Sequence, residues 1–393
     1  MFPPSLLQRF GRRVRLGLVG GGLDSVIGQT HLLALRADGL ADVTAGAMSV
    51  DPETASASAA RLLVPQDRTY LDWRDMLDRE RNRPDGVDVV VVMTPPHLHA
   101  EIAEAFLSAG IHVLCEKPLC ATAADARRLA DAVAASTALF GLTHCYTGYP
   151  MVREARTLVR TGLIGRVRLV EGQLAAGDPG VLREPDAPED RHWRFRQAIA
   201  GKGAVLGEVG SHAHNLAEFV TGRRVTEVYA HLSTVAERRE VYDNAYLTVG
   251  FEEGAVGRLW SSFVAAGNEH GLELRVFGDD GSLHWRQEDP EYLWLRRPGA
   301  SATRLSRGTG EPGAAARAAT RLRAGHPEGY VMAFATLYRD FLSAVIAAGL
   351  GEDPAEHLSL LPSVEDGLST LLLAEAALAS HNAGAVRPLA RRG

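Results

Sequence analysis

The sequence predicts an α/β chain of two unlike halves. A parallel-sheet half is expected over residues 1–149, and an α+β half with a large, mostly antiparallel open sheet over 150–393. Three observations carry this. Up to about residue 149, short and nearly continuous β-branched runs alternate with helical patterns, as strands covered on both faces of a parallel sheet require. Beyond residue 165 the strands alternate apolar and polar residues instead, the pattern of a sheet with one open face. The first strand also runs into a triple glycine that opens a helix.

Bulk properties narrow the function classes. A length of 393 residues favours two or three domains. A net charge of −6 and a pI near 6.2 argue against a nucleic-acid surface, which needs a basic face. Cys115, Cys120 and Cys145 show no metal-type pair spacing, so reduced thiols in a cytoplasm are expected. Met1–Arg13 lacks the apolar centre of a signal peptide, and no run approaches the ~18 apolar residues of a membrane span. The expectation is a cytoplasmic protein without a membrane or nucleic-acid partner.

Val14–Gly20 reads as the first strand. It feeds Gly20-Gly21-Gly22-Leu23-Asp24-Ser25-Val26-Ile27-Gly28 and then a helix through His31, Leu32 and Leu35. Glycines let a backbone approach a pyrophosphate, and the helix N-terminus offers N–H groups and a positive dipole end. Gly20, Gly22 and Gly28 are therefore candidate dinucleotide-binding positions of a Rossmann domain, although three extra residues separate Gly22 from Gly28 relative to the G-x-G-x-x-G spacing. The second strand, Val43–Ser49, ends on Ser49, where an Asp or Glu would hold the ribose of NAD. Neither that acid nor a neighbouring arginine for NADP is present, so NAD or NADP remains open, with a lean to NAD. Tyr70–Met76 opens a helix in which Trp73 reads as core.

Val87–Met93 is a covered strand, followed by Thr94-Pro95-Pro96-His97-Leu98-His99 and a helix that Gly110 ends. Thr94, Pro95 and His99 follow a strand end and are candidate cofactor contacts; a first-turn helix histidine is as often a structural partner. Ile111–Leu114 is the next strand, and its carboxyl end delivers Glu116-Lys117-Pro118. Ligands of open parallel sheets bind outside such ends, so Lys117 is placed like a catalytic group. An alanine-rich helix, Ala121–Ala135, and a sixth strand, Leu139–His144, complete this domain at Tyr149.

In the second half, Pro150 opens a helix, Val167–Leu174 is a strand, and a polar stretch from Gly177 to Arg196 reads as a loop over a cleft. Strands Thr226–Ser233, Asn244–Phe251 and Ala255–Phe263 follow, with hairpin turns at Glu252-Glu253-Gly254 and Asp279-Asp280-Gly281. Pro298–Gly325 is rich in Gly, Ala and Arg without periodicity and reads as a solvated loop. Arg317, Arg321 and Arg323 there are candidates to meet a subunit or an anionic substrate. Helices beginning at Tyr330 and Val364 close the chain and are expected to pack back on the first domain.

A second chemical block runs Gly203-Ala-Val-Leu-Gly-Glu208-Val-Gly-Ser-His212-Ala-His-Asn215. Spacing of four puts Glu208 and His212 on one face of a helical turn, with Asn215 one turn on. Gly207 and Gly210 leave room for a ligand. Moving hydride from a carbinol carbon requires removal of the hydroxyl proton, a task suited to histidine, while an ammonium near the same oxygen stabilises developing alkoxide. A metal site from His212, His214 and His144 is disfavoured, because positions two apart on a helix do not converge.

Together, the glycine turn, Glu116-Lys117-Pro118 and the block around Glu208 and His212 resemble the glucose–fructose oxidoreductase / inositol dehydrogenase / MocA family over nearly the whole chain. The resemblance implies an NAD(P)-dependent oxidoreductase acting on a hydroxyl or keto carbon of a sugar, cyclitol or glycoside. It implies Lys117 and His212 as catalytic groups with Glu208 in the position of the family's catalytic acid, and Glu116 beside the cofactor. Tyr149, Arg194, Lys202 and Asn215 are then expected to serve substrate binding, with Arg194 in a Trp-Arg pair that resembles a family feature. Glu208 and Asn215 both stand where the family has Asp, and Pro96 where it usually has Asn. Relatives bury the open sheet face in dimers or tetramers, so a homo-oligomer is expected. Two rivals share the fold: a glycosidase that retains NAD, and a non-catalytic sugar or cofactor sensor.

Overall fold

The computed structural model describes residues 4–177 and 182–390, so four residues of the polar stretch after Gly177 lie outside the described residues. It divides into two compact units, Met1–Gly148 with Glu328–Leu368, and Tyr149–Pro327 with Ser369–Gly393.

The first unit is a Rossmann-type parallel sheet of five strands. These are β1 (Val14–Gly20), β2 (Ala41–Ala47), β3 (Val89–Met93), β4 (His112–Cys115) and β5 (Phe140–Leu142), in the order β2-β1-β3-β4-β5. All five residues of β3 are buried, which is why the run is β-branched without alternation. Among the described residues the sheet has five strands, not six: Leu139–His144, counted as the sixth, is β5. Pro65 and the 3₁₀ turn Gln66–Arg68 interrupt the segment beside β2, leaving a single parallel bridge between Gly46 and Thr69. The helix Tyr330–Gly349 belongs to this unit and is long and apolar enough to cross a membrane, contrary to the reading of the sequence. Its apolar residues, Phe334, Leu337, Phe341 and Leu342 among them, are buried instead.

The second unit carries a nine-stranded sheet. Its strands are β6 (Val167–Ala175), β7 (Val225–Ser233), β8 (Asn244–Phe251), β9 (Val256–Ser262), β10 (Leu272–Gly278), β11 (Ser282–Arg286), β12 (Tyr292–Arg296), β13 (Thr303–Ser306) and β14 (Arg387–Pro388). The order is β13-β12-β11-β10-β6-β9-β8-β7-β14, and only β6 and β9 pair in parallel. One face packs on the helix Ser211–Thr221: a Cβ added at Gly172 of β6 would lie 3.4 Å from the Ala213 carbonyl oxygen. The other face is open and holds a concavity of about 530 Å³, lined by Glu171, Tyr229, Tyr246, Arg258, Trp260 and Arg275. None of the residues expected to do chemistry lines it.

The Gly/Ala/Arg-rich stretch is not the structureless loop expected. It contains β13 and a helix, Ala314–Ala319, and it is organised by one buried arginine. Arg307, 3% exposed, donates to the Glu291 carboxylate and to the carbonyls of Leu322 and His326 at 2.6–2.7 Å. A single guanidinium satisfying three distant acceptors leaves no periodic trace in sequence.

Where the helix Ser211–Thr221 meets the start of β7, Glu218 is buried and receives Arg224, Ser369 and the Val225 N–H, with His214 Nε2 3.0 Å away. Burial would push this carboxyl up, but His214, Arg224 and the Val225 N–H hold it down at about 2. A depressed carboxyl adds stability that is fully present above its unfolded value and is lost as pH falls through the folded one. The difference in unfolding free energy between wild type and Glu218→Gln should therefore shrink by up to ~3 kcal/mol from pH 5 to pH 2, as read by urea denaturation. A pH-independent difference would show that the carboxylate carries no such charge contribution.

Candidate active site

The glycine turn is built for backbone approach. Gly20 and Gly21 have φ of +78° and +73°, a region that penalises any Cβ, and a Cβ at Gly20 would sit 2.7 Å from the Met93 carbonyl oxygen. At Gly28 it would sit 2.4 Å from the Gly21 carbonyl oxygen, so Gly28 is where the helix Val26–Arg36 packs onto the turn. The extra residues of the motif form a short loop ending in an N-cap: the Gly28 N–H donates to the Ser25 hydroxyl at 3.1 Å. Val26 is 89% exposed, so the first helical turn opens to solvent.

The strand order reverses between β1 and β3, and ligands of such sheets bind at that point. Thr94 directly follows β3 there, and its hydroxyl oxygen is buried with no protein hydrogen-bond partner among the described residues. Pro95 follows and caps the 3₁₀ turn Pro96–Leu98. A turn open to close approach beside an unpaired hydroxyl fits a pyrophosphate-bearing dinucleotide. Gly20–Gly22, the first turn of the helix and Thr94 would hold it.

At the end of β2, the Asp51 N–H donates to the Ser49 hydroxyl at 3.1 Å. The Asp51 carboxylate caps the helix Pro52–Leu62 through the Thr54 N–H at 2.8 Å, and the hydrogen bonds from Thr54 lower its pKa. The buried arginine of this region, Arg68, is committed to the Glu80 carboxylate.

Two expected cofactor contacts are buried and engaged with protein partners. His99 is 1% exposed, with Nε2 2.7 Å from the Thr94 carbonyl and Nδ1 3.0 Å from that of Pro118, so it braces the ends of β3 and β4 from inside. Burial pushes its pKa down. Glu116, 5% exposed, also turns inward. Its Oε1 meets His31 Nε2 at 2.9 Å and accepts from the Thr143 hydroxyl, while its Oε2 accepts the Lys117 N–H at 2.9 Å. Lys117 itself is half-buried at the carboxyl end of β4. The sequence reading missed His31, Thr143 and Tyr338 as parts of this arrangement. The available signal was a polar residue, His31, on the apolar face that includes Leu32 and Leu35.

In the second unit Glu208 lies in a π-helical turn, Leu206–Gly210, that runs into the α-helix Ser211–Thr221. The spacing argument assumed a plain α turn, whereas here a wider π turn carries Glu208 into the α-helix that holds His212. A Cβ at Gly207 would meet nothing within 4 Å, whereas at Gly210 it would press on the Ser261 hydroxyl at 3.0 Å. His212 and Asn215 are 8% and 5% exposed. Arg194 Nε donates to Glu208 Oε2 at 3.0 Å, and its guanidinium lies over the Trp193 ring at 5.1 Å. Lys202 donates to the Glu240 carbonyl at 2.6 Å and lies over Tyr242, and Tyr149 is buried against Trp285. Arg194 and Glu208 are thus brought together; Lys202 and Tyr149 are engaged with other partners.

Residues 14–144 match the oxidoreductase family with an NAD-binding Rossmann fold, and residues 152–284 match the GFO/IDH/MocA C-terminal domain. The chain belongs to the GFO/IDH/MocA oxidoreductase family. It is 31% identical over 376 residues to the uncharacterized oxidoreductase YfiI of Bacillus subtilis, covering 95% of this chain and 96% of that protein. It is 30% identical over 312 residues to levoglucosan dehydrogenase of Pseudarthrobacter phenanthrenivorans, covering 72% and 76%. Among solved structures it is similar to an inositol dehydrogenase homolog of Azotobacter vinelandii, at 34% identity and 96% and 97% coverage. The TM-score is 0.88 for its NAD+ complex and 0.85 for its complex with NADH and myo-inositol.

For a GFO/IDH/MocA dinucleotide domain the unpaired Thr94 hydroxyl gives a clean test. Thr94→Val removes a buried group that no atom of the described residues satisfies, so thermal stability should hold or rise, while NADH binding in calorimetry should weaken about 10-fold. Unchanged affinity would remove Thr94 from the cofactor site.

Proposed function

We propose that this oxidoreductase is an NAD-preferring dehydrogenase that moves hydride between nicotinamide and a ring hydroxyl or keto carbon of a cyclitol or anhydro-sugar. The observation that carries the reading is Lys117, whose main-chain N–H is held by the Glu116 carboxylate at the carboxyl end of β4. Bound nicotinamide supplies the hydride acceptor. His212 takes the hydroxyl proton, Lys117 stabilises the developing alkoxide, and Glu208 with Arg194 orients the substrate. Myo-inositol, bound in the Azotobacter vinelandii structure, and levoglucosan, in the name of the Pseudarthrobacter phenanthrenivorans dehydrogenase, set the substrate class to be screened.

The preference for NAD rests on Asp51. Its hydrogen bonds keep it anionic at the end of β2, where a charge of that sign opposes a 2′-phosphate, and Arg68 is spent on Glu80. NADH should bind more tightly than NADPH, by less than about 100-fold. Three buried free cysteines suit a reducing cytoplasm. The open sheet face is assigned to a second copy of the chain: Tyr246 and Trp260 stack there at 5.8 Å, and Tyr229, Leu169 and Val256 are about half exposed. Trp260→Glu should shift light-scattering mass toward the monomer; a monomeric wild type would overturn this assignment.

The mechanism is tested by screening cyclic polyols with both cofactors and following reduced nicotinamide. Lys117→Ala and His212→Ala should each lower kcat by about 10²–10⁴-fold. Because the base must be neutral to accept a proton, oxidation should speed up as an imidazole deprotonates, and that limb should vanish in His212→Ala. The double variant should lose far less than the product of the single losses. Wild-type turnover in Lys117→Ala would overturn the reading, and release of the aglycone from a glycoside without net NADH would convert it to a glycosidase.

A further inference from the structure

His31 is fully buried, sits in the helix that leaves the glycine turn, and uses both ring nitrogens on named partners. An ionised carboxylate only accepts, so Nε2–H donates to Glu116 Oε1 at 2.9 Å. In the neutral ring Nδ1 then accepts from the Tyr338 hydroxyl at 2.7 Å. Burial keeps Tyr338 protonated, with the Glu116 charge adding to the effect. The ring packs edge-on against Phe334 and Tyr338 at 5.1 and 5.7 Å, so it has one orientation available.

The two oxygens of Glu116 divide their work. Oε1 takes His31 and Thr143, and that fixes the carboxylate about its terminal torsion, which is otherwise broad. Oε2 is thereby aimed at the Lys117 N–H, 2.9 Å away. Burial would raise the Glu116 pKa, but His31, Lys117 and Thr143 lower it, so the carboxylate remains an acceptor for all three donors. Meanwhile Gly28, one helical turn before His31, lies so close to Gly21 of the glycine turn that an added Cβ would sit 2.4 Å from its carbonyl oxygen.

We propose that His31 is a positioning residue: acting through Glu116, it fixes the main chain of Lys117 and ties it to the helix that begins at the glycine turn. The proposal rests on the reading of Lys117 as a catalytic group. A lysine delivered to an alkoxide must be placed within fractions of an ångström, and a misplacement of 1 Å is enough to cost about 10²-fold. Cofactor seating and lysine placement then share one rigid connection, His31 to Glu116.

The test compares His31→Leu, His31→Gln and the milder Thr143→Val, alone and with Lys117→Ala, using the polyol turned over best in the screen. His31→Leu should lower kcat about 10–100-fold while KM and the NADH Kd stay within about 3-fold. His31→Gln, whose amide can donate to Glu116, should recover most of the loss. In the Lys117→Ala background, His31→Leu should change kcat less than about 2-fold, since nothing is left to position. Equal losses in both backgrounds would show a general structural role and overturn the proposal. Amide hydrogen exchange supplies a readout that needs no substrate: the Lys117 N–H should exchange about 10-fold faster in His31→Leu or Thr143→Val. Unchanged exchange in both variants overturns positioning even where no polyol is turned over. Wild-type kcat in Lys117→Ala instead sinks the catalytic reading and leaves the exchange result to stand alone.

Discussion

A buried carboxylate must be satisfied on every side or it neutralises, and Glu116 meets that demand by drawing four segments of the first unit to one point. Its N–H donates to the Val92 carbonyl of β3, and Thr143, just beyond β5, reaches its side chain. His31 arrives from the helix after the glycine turn, and Tyr338, from the helix Tyr330–Gly349, fixes His31. The strand end that carries Lys117 is therefore not a free loop. The carboxylate itself accepts from three donors, His31, Thr143 and the Lys117 N–H, and the geometry of the lysine's main chain follows from that pairing.

The second unit solves a different problem by the same means. A π turn places Glu208 one residue out of step with the helix that holds His212, and leaves Gly207 facing open space. Such turns are less favourable than α-helix and persist where a side chain must be re-aimed. Arg194 reaches Glu208 from a segment that has little regular structure of its own. That segment is anchored by Arg239, buried over the Phe195 ring at 3.6 Å and ion-paired to Glu184. The charged pair near the π turn is thus held from behind by a buried one.

Substitutions that depart from the family pattern read coherently in this light. Asn215 lies buried one helical turn beyond His212. Glu208, a methylene longer than Asp, spans to Arg194 at 3.0 Å. The added residues between Gly22 and Gly28 do not break the glycine turn, because Ser25 caps the helix and Gly28 packs closely on Gly21.

What the sequence determined by itself was whatever depends on neighbours along the chain. The covered strands, the glycine turn, the lysine at a strand end, the hairpin turns at Glu252–Gly254 and the open alternating sheet all have local signatures, because periodicity and turn chemistry act over a few residues. What only the tertiary structure decided depends on partners far apart in sequence. His99 and Glu116 are buried, with partners the sequence did not reveal. The expected sixth strand, Leu139–His144, is the fifth and last of the sheet, and a helix apolar enough for a membrane becomes a core element. The basic stretch after Pro298 becomes ordered around Arg307. In each case a buried polar group or an apolar face found its partner tens to hundreds of residues away, and the free energy of satisfying it, rather than any local propensity, set the outcome.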